Sequence, residues 1–318
     1  MPIRLLSLPS KDLQYAINSM DLGDVIALSL CSNRTKNLVK DSKRRIEPIH
    51  AEVYGNRIRF NISDFQELQN DWDQDDLDLG DGVDNEFISL DLFDSLINIH
   101  RANEIEVWRR PEFAQCDWIV HLLSIFNESM IPRLRISDSC PIEYMNTIKQ
   151  IIPKCNSLEI IRPCSNDVAR KAFLKLAPIA EEVNFEINIF DNDNDISKFL
   201  TLNLNSVNFI DFESPFKLEL SDLLVSNIDH LSIRIVNITD KELNRFAKLW
   251  MKGSHKFYRP KLITLVLKRE MDINKEEVLK GIQYEFVEES THQYRIRRGD
   301  GKELSIRIFA YIVDFEFE

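Results

Sequence analysis

Apolar residues recur at helical spacing through the opening of the chain. Leu13, Ala16, Ile17 and Met20 share one face of a helix expected to open at Ser10 behind Pro9, with the Ser10 hydroxyl placed to accept from first-turn amides. Leu22, Val25, Ile26 and Leu28 mark a second helix, for which Asp21 is the expected cap and Asp24 lies where the helix dipole favours an acid. A third is expected from Ser32 to Lys40, turning Leu38 and Val39 inward and Arg34, Lys36 and Lys40 outward. So short a segment buries little apolar surface by itself. The trio therefore needs a neighbour, either the rest of the chain or another protein.

A second rhythm runs through the middle. Apolar pairs one position apart occur at Leu134/Ile136, Leu158/Ile160, Val183/Phe185, Val207/Phe209 and Leu231/Ile233, their first members separated by 24, 25, 24 and 24 residues. A helical pattern follows each pair, and the clearest places Thr239 and Glu242 as a capping box before Leu243, Phe246, Ala247 and Trp250. A strand, a helix and a return within that span is the size of a leucine-rich-repeat unit, in which parallel strands stack on one side and helices on the other. The turn residues depart from that pattern, with Ser139, Pro163 and Asn188 near three of the turns, so the expectation is a leucine-rich-repeat-like βα solenoid. The next strand, Leu262 to Leu267, starts 31 residues after Leu231, and the extra length falls on an insertion from Lys252 to Pro260. Beyond it Gly299 and Gly301 sit between two alternating runs, which predicts a C-terminal β-hairpin. The Arg-Gly-Asp within that turn is read as a turn and nothing more. The fold class expected is α/β.

Charge is uneven. Residues 1–60 hold ten Lys or Arg against six Asp or Glu, a net +4, whereas residues 61–100 hold twelve acids and no Lys or Arg, as many negative charges as the net −12 of the whole 318-residue chain. The acidic stretch at about 70–86 is expected to be a solvated loop. Its alternating Asp residues suggest calcium, but the EF-hand template beginning at Asp71 needs Gly and Glu where Asp76 and Gly82 stand, and the run from Asp191 to Asp195 fails in the same way at Ile196 and Leu202. The balance also speaks against nucleic acid, whose binding needs clustered cations.

Other chemistry finds little support. The histidines at 50, 100, 121, 230, 255 and 292 show no metal-ligand spacing, and Cys31, Cys116, Cys140, Cys155 and Cys164 show no CxxC pairing and read as reduced thiols. Cys116 and His121 stand five apart, on different faces of one helix, which fits a structural pair better than a catalytic one. Neither a nucleophile elbow nor a phosphate-cradling or dinucleotide glycine motif occurs. No cofactor and no metal is implied, and the expected protein is not an enzyme. With no run of eighteen apolar residues and no signal-peptide pattern, it is expected to be intracellular, cytoplasmic or nuclear, and without a membrane partner.

The order Leu8-Pro9, Leu13, Ile17, Met20-Asp21, Val25, Leu28-Ser29, Cys31-Ser32, Arg34 resembles the F-box, the trihelical module that docks on the Skp adaptor of cullin-based ubiquitin ligases. The segment from Phe216 to Gly253 is similar to the F-box-associated type 2 domain of nematode F-box proteins, with Thr239, Leu243, Asn244, Phe246, Trp250 and Gly253 in the order of its hallmark helix. A closing basic segment, Tyr294 to Ile306, matches that domain as well. The resemblance implies an F-box over 1–45, with Leu8, Pro9, Leu13, Ile17, Leu28 and Cys31 as the adaptor-binding positions, and an associated domain over 46–318 that captures a target protein. Partners would be a Skp-family adaptor, a cullin reached through it, and that target. Trp72, His255 and Tyr258 are candidate target-binding aromatics, Trp108 is expected to be half-buried and Trp250 to be core. The alternative is a scaffold or recognition protein that uses its repeat surface without serving a ligase.

Overall fold

The structure is a computed structural model that describes residues 5–64, 87–101, 104–137, 140–190, 195–211, 216–253, 259–268, 272–288 and 292–318. The acidic stretch at 70–86, Ser139, residues 191–194 and the aromatics Trp72, His255 and Tyr258 lie outside the described residues. The chain forms two compact units, residues 1–156 and 157–318.

The first unit opens with helices α1 (Ser10–Asn18), α2 (Leu22–Cys31) and α3 (Asn33–Ser42). Asp21 caps α2 by accepting from the Asp24 amide at 2.7 Å, and Ser32 and Thr35 cap α3 reciprocally. The start of α1 differs from expectation: Pro9 holds the cap position, no side chain caps it, and Ser10 is already helical. An antiparallel meander follows, with strands β1 (His50–Tyr54), β2 (Arg57–Ser63), β3 (Phe87–Phe93), β4 (Leu96–Arg101) and β5 (Glu104–Arg109). Helix α4 (Gln115–Ile125), strand β6 (Ile131–Ile136) and helix α5 (Ile142–Ile151) complete the unit, and β6 returns parallel to β1, giving the strand order β6-β1-β2-β3-β4-β5. Strict alternation drives the meander: Ile58, Phe60 and Ile62 of β2 face Leu92, Leu90 and Ile88 of β3 on the buried side. Trp118 of α4 is fully buried, its ring 4.8 Å from that of Phe113.

The second unit contains strands β7 (Cys155–Ile160), β8 (Ala180–Phe185), β9 (Ser206–Ile210), β10 (His230–Val236) and β11 (Leu262–Leu267), with helices α6 (Asn166–Leu176), α7 (Asp195–Leu200), α8 (Leu220–Val225) and α9 (Asp240–Met251) between them. β8 through β11 pair in parallel, each with its successor. All five apolar pairs that set the 24-residue rhythm lie in strands, and those from β7 to β10 point to the buried face. There aromatic rings interlock: Phe185 lies 4.9 Å from Phe173 of α6 and 5.2 Å from Phe209 of β9. After α10 (Lys275–Leu279) come four antiparallel strands, β12 (Glu285–Glu288), β13 (Gln293–Arg297), β14 (Glu303–Phe309) and β15 (Ile312–Phe317). The expected hairpin is β13–β14, closed at Arg297 opposite Glu303, with Gly301 supplying the positive φ of its turn. It is half of a larger meander, since β15 runs back antiparallel to β11 and gives the order β12-β13-β14-β15-β11-β10-β9-β8-β7.

Side chains on the opposite sheet face of this unit form rows across the strands. In register these are Asn184, Asn208, Ser232, Thr264 and Asp314 in a polar row, with Ile210, Arg234, Val266 and Ile312 in the next.

Candidate functional site

The helical trio builds a small surface around the start of α1. Its apolar stripe splits into two roles. Leu13 and Ile17 are buried, as are Leu22, Val25 and Ile26 of α2 and Val39 of α3, so these residues hold the three helices together. Pro9 and Cys31 are exposed and Leu8 and Leu28 half-buried. Of the six positions singled out in the sequence, Leu8, Pro9, Leu28 and Cys31 therefore keep surface for a partner, whereas Leu13 and Ile17 lie beneath it. Two exposed apolar residues escaped the sequence reading. Leu6 is 41% exposed, and Tyr15, 76% exposed, projects from the polar side of α1. An apolar residue off the stripe was the available signal for Tyr15.

The rest of the first unit holds the trio by polar ties from distant residues. Arg110 donates to the Leu30 carbonyl, and Asn127 Nδ2 donates to the Lys40 carbonyl at 3.1 Å. Arg101 Nη1 lies 3.2 Å from Asp21 Oδ2, and Arg44 pairs with Asp64. Gly23 of α2 sits directly on the Arg101 guanidinium, where a Cβ would collide with it at 1.7 Å. The deepest tie joins α2 to α4. The Ser29 hydroxyl donates to the Ile26 carbonyl at 2.6 Å and lies 2.8 Å from His121 Nε2, so Nε2 carries the ring proton and donates to Ser29. None of these ties had a local sequence signal, because most join residues some 80 to 90 positions apart.

Burial, reinforced by Lys36 and Arg110, pulls the His121 pKa from its ordinary 6.5 down to about 4. The folded value lies below the unfolded one, so unfolding takes up a proton at intermediate pH. The stabilisation is complete above about pH 6.5 and falls away as pH drops towards 4, by about 3 kcal/mol in all. Urea midpoints at pH 7 and pH 4.5 are expected to differ markedly in the native chain and much less in His121→Gln. An unchanged pH dependence in that variant would remove His121 as the cause.

Trp108 is half-buried, its Nε1 donating to Glu106 at 3.1 Å, and Trp250 is core. Among the described residues no group of three or more His, Cys, Asp or Glu side chains could hold a metal ion, and no helix is long and apolar enough to cross a membrane. The hallmark positions of α9 have distinct tasks. Thr239 and Glu242 cap the helix, Leu243, Phe246 and Trp250 enter the core, and Asn244 Nδ2 donates to the carbonyls of Val278 at 2.7 Å and Lys280 at 3.0 Å. Asn244 thereby fastens α9 to α10.

Comparison with known proteins locates both regions. A family described as F-box domain matches residues 5–47, and one described as F-box associated matches residues 195–257. A Caenorhabditis elegans F-box associated domain-containing protein, sdz-33, is 23% identical over 268 residues, which covers 81% of this chain and 78% of the relative. No solved structure matches.

Proposed function

Because the chain belongs to the F-box proteins that carry an F-box-associated domain, we infer that it is the target-recognition subunit of a Skp-cullin-F-box ubiquitin ligase. The observation that carries this reading is the presence of both domains, in that order, in one chain. Residues 1–45 dock on a Skp-family adaptor and through it reach a cullin, while residues 46–318 hold the target. On this reading the βα units from β7 to β11 act as a leucine-rich-repeat-like solenoid, the chain performs no bond chemistry, and it works inside the cell. Its contribution is effective concentration, because a tethered target meets the ubiquitin-loaded enzyme as if the two were one molecule.

Docking rests on the apolar side chains that the trio leaves uncovered, with Leu8 and Pro9 at its start and Leu28 and Cys31 on α2. Leu8→Ala combined with Pro9→Ala is expected to weaken co-purification with the Skp adaptor by about a hundredfold or more, since apolar anchors dominate such interfaces. Pro9 is exposed and Leu8 half-buried, so the thermal midpoint is expected to stay nearly unchanged. Undiminished adaptor recovery by a folded double variant would overturn the docking assignment.

A further inference from the structure

We propose that the open sheet face of the 157–318 unit carries a peptide cleft at the β10 bulge. It receives a short extended segment with one carboxylate side chain among apolar ones. This inference rests on the target-holding role given to residues 46–318 and specifies the chemistry of what is held.

The bulge comes first. β10 pairs with β11 in register from His230 opposite Leu262 to Arg234 opposite Val266, then jumps to Val236 opposite Leu267, leaving Ile235 as the extra residue. Ile235 has φ +63°, a left-handed conformation that a β-branched side chain adopts only when its surroundings impose it. Two hydrogen bonds hold it there: the Phe216 amide donates to the Ile235 carbonyl at 2.9 Å, and the Lys268 amide to the Val236 carbonyl at 2.8 Å. Strain of this kind gathers where a side chain must be re-aimed.

The bulge borders a cleft of about 540 Å³, walled by Arg234, Ile235, Val266, Lys268, Tyr311 and Ile312. Val266 and Ile312 belong to the apolar row across the strands, and Phe309, 66% exposed, extends that row beyond Ile312. Tyr311 stands half out of the surface at the hairpin turn. Arg234 and Lys268 are both exposed, and among the described residues neither meets a carboxylate. The nearest acid along the rows, Asp314, is already engaged: Thr264 Oγ1 donates to it at 2.8 Å and Arg307 lies 3.7 Å away. On a chain of net charge −12, two such cations beside apolar walls favour an acidic occupant and disfavour a basic one.

The adjoining polar row favours a peptide over a small acid. Ser232 and Thr264 of that row line the cleft on the same side as Arg234. The backbone of a peptide laid across the sheet would hydrogen-bond to their hydroxyls, while its apolar side chains fill the space against Val266, Ile312 and Tyr311.

The test uses the full chain and three fluorescein-labelled ten-residue peptide pools with a Leu/Val/Thr/Ala background and a fixed central Glu, Gln or Lys, read by fluorescence anisotropy. The Glu pool is expected to bind about tenfold more tightly than the Gln pool and more tightly still than the Lys pool. Arg234→Gln with Lys268→Gln should erase the Glu preference, and Arg245→Gln at an exposed position of α9 should leave it intact. The charge swap Arg234→Glu with Lys268→Glu should transfer the preference to the Lys pool, which guards against simple loss of fold. Tyr311→Ala is expected to weaken the Glu and Gln pools alike. Equal binding of the three pools, or a Glu preference that survives the double glutamine variant, overturns the proposal. So does glutarate competing as well as a Glu peptide, which would assign the cleft to a small acid. Skp adaptor recovery from the same preparations separates the two readings: its absence alongside an intact Glu preference removes the ligase role and leaves the cleft standing.

Discussion

Phe246→Ala is expected to destabilise the 157–318 unit by about 3–5 kcal/mol, because the substitution removes a buried ring and leaves a cavity that rigid neighbours cannot fill. Phe246 is fully buried on α9. Its ring meets Phe315 of β15 at 4.9 Å in an edge-on arrangement and Phe317 at 6.4 Å, so one side chain joins the helix to the closing strand. The flanking core residues Leu243, Ala247 and Trp250 lie on the same rigid helix, capped by Thr239 and Glu242 at one end. Phe246→Leu keeps much of the volume and should cost about 1.5 kcal/mol or less. Urea unfolding read together with hydrogen exchange at the α9 amides checks both values. An alanine variant that loses under about 1 kcal/mol would mean that this contact does not anchor the closing strand.

Asp91→Ala is expected to cost about 3 kcal/mol in the first unit. The Asp91 side chain is 1% exposed. It accepts from Arg59 through Nε at 2.7 Å and Nη2 at 3.2 Å, and lies 3.1 Å from His100 Nε2 and 3.4 Å from Arg57. Burial by itself would raise the Asp91 pKa, but the Arg59 hydrogen bond and charge, with Arg57 and His100, outweigh it and hold the carboxyl below the usual range. Removing one partner from a buried ionic cluster strands the others, which is why the loss exceeds the worth of any single pair. The figure sits at the low end of the roughly 3–5 kcal/mol typical of breaking a buried pair, because Arg57 and Arg59, about 30% exposed, can turn to water. The folded pKa is depressed, so this stabilisation is present above the unfolded value near 4 and is lost as pH falls below it. Denaturation of Asp91→Ala at pH 7 and pH 3 is therefore expected to show a large deficit at the first pH and a smaller one at the second. Equal deficits would mean that ionisation plays no part.

Local rules carry most of what the residue types alone reveal, although Ser10, the expected cap of α1, is already helical. Caps Asp21 and Thr239 are side chains that satisfy amides three residues away, and the recurring apolar pairs needed only local alternation to place β6 to β10. The hairpin closing at Arg297 and Glu303 was legible for the same reason, through the glycines of its turn. The meander from β1 to β5 has its own signal in the clean alternation of Ile58, Phe60 and Ile62, but it lies outside the repeat of apolar pairs that sets the expected fold, which begins at Leu134. Helical spacing also marks a stripe without saying who covers it. Leu13 and Ile17 are buried, whereas Leu8 is half-buried and Pro9 exposed, and only packing draws that line. The bulge at Ile235 had no signal at all, since a β-branched residue is the last choice for positive φ.

The ties from Arg101, Arg110, His121 and Asn127 to the helical trio make it a fixed bracket. Whatever the trio docks on would therefore meet the β1–β5 sheet at one set bearing, with little swing.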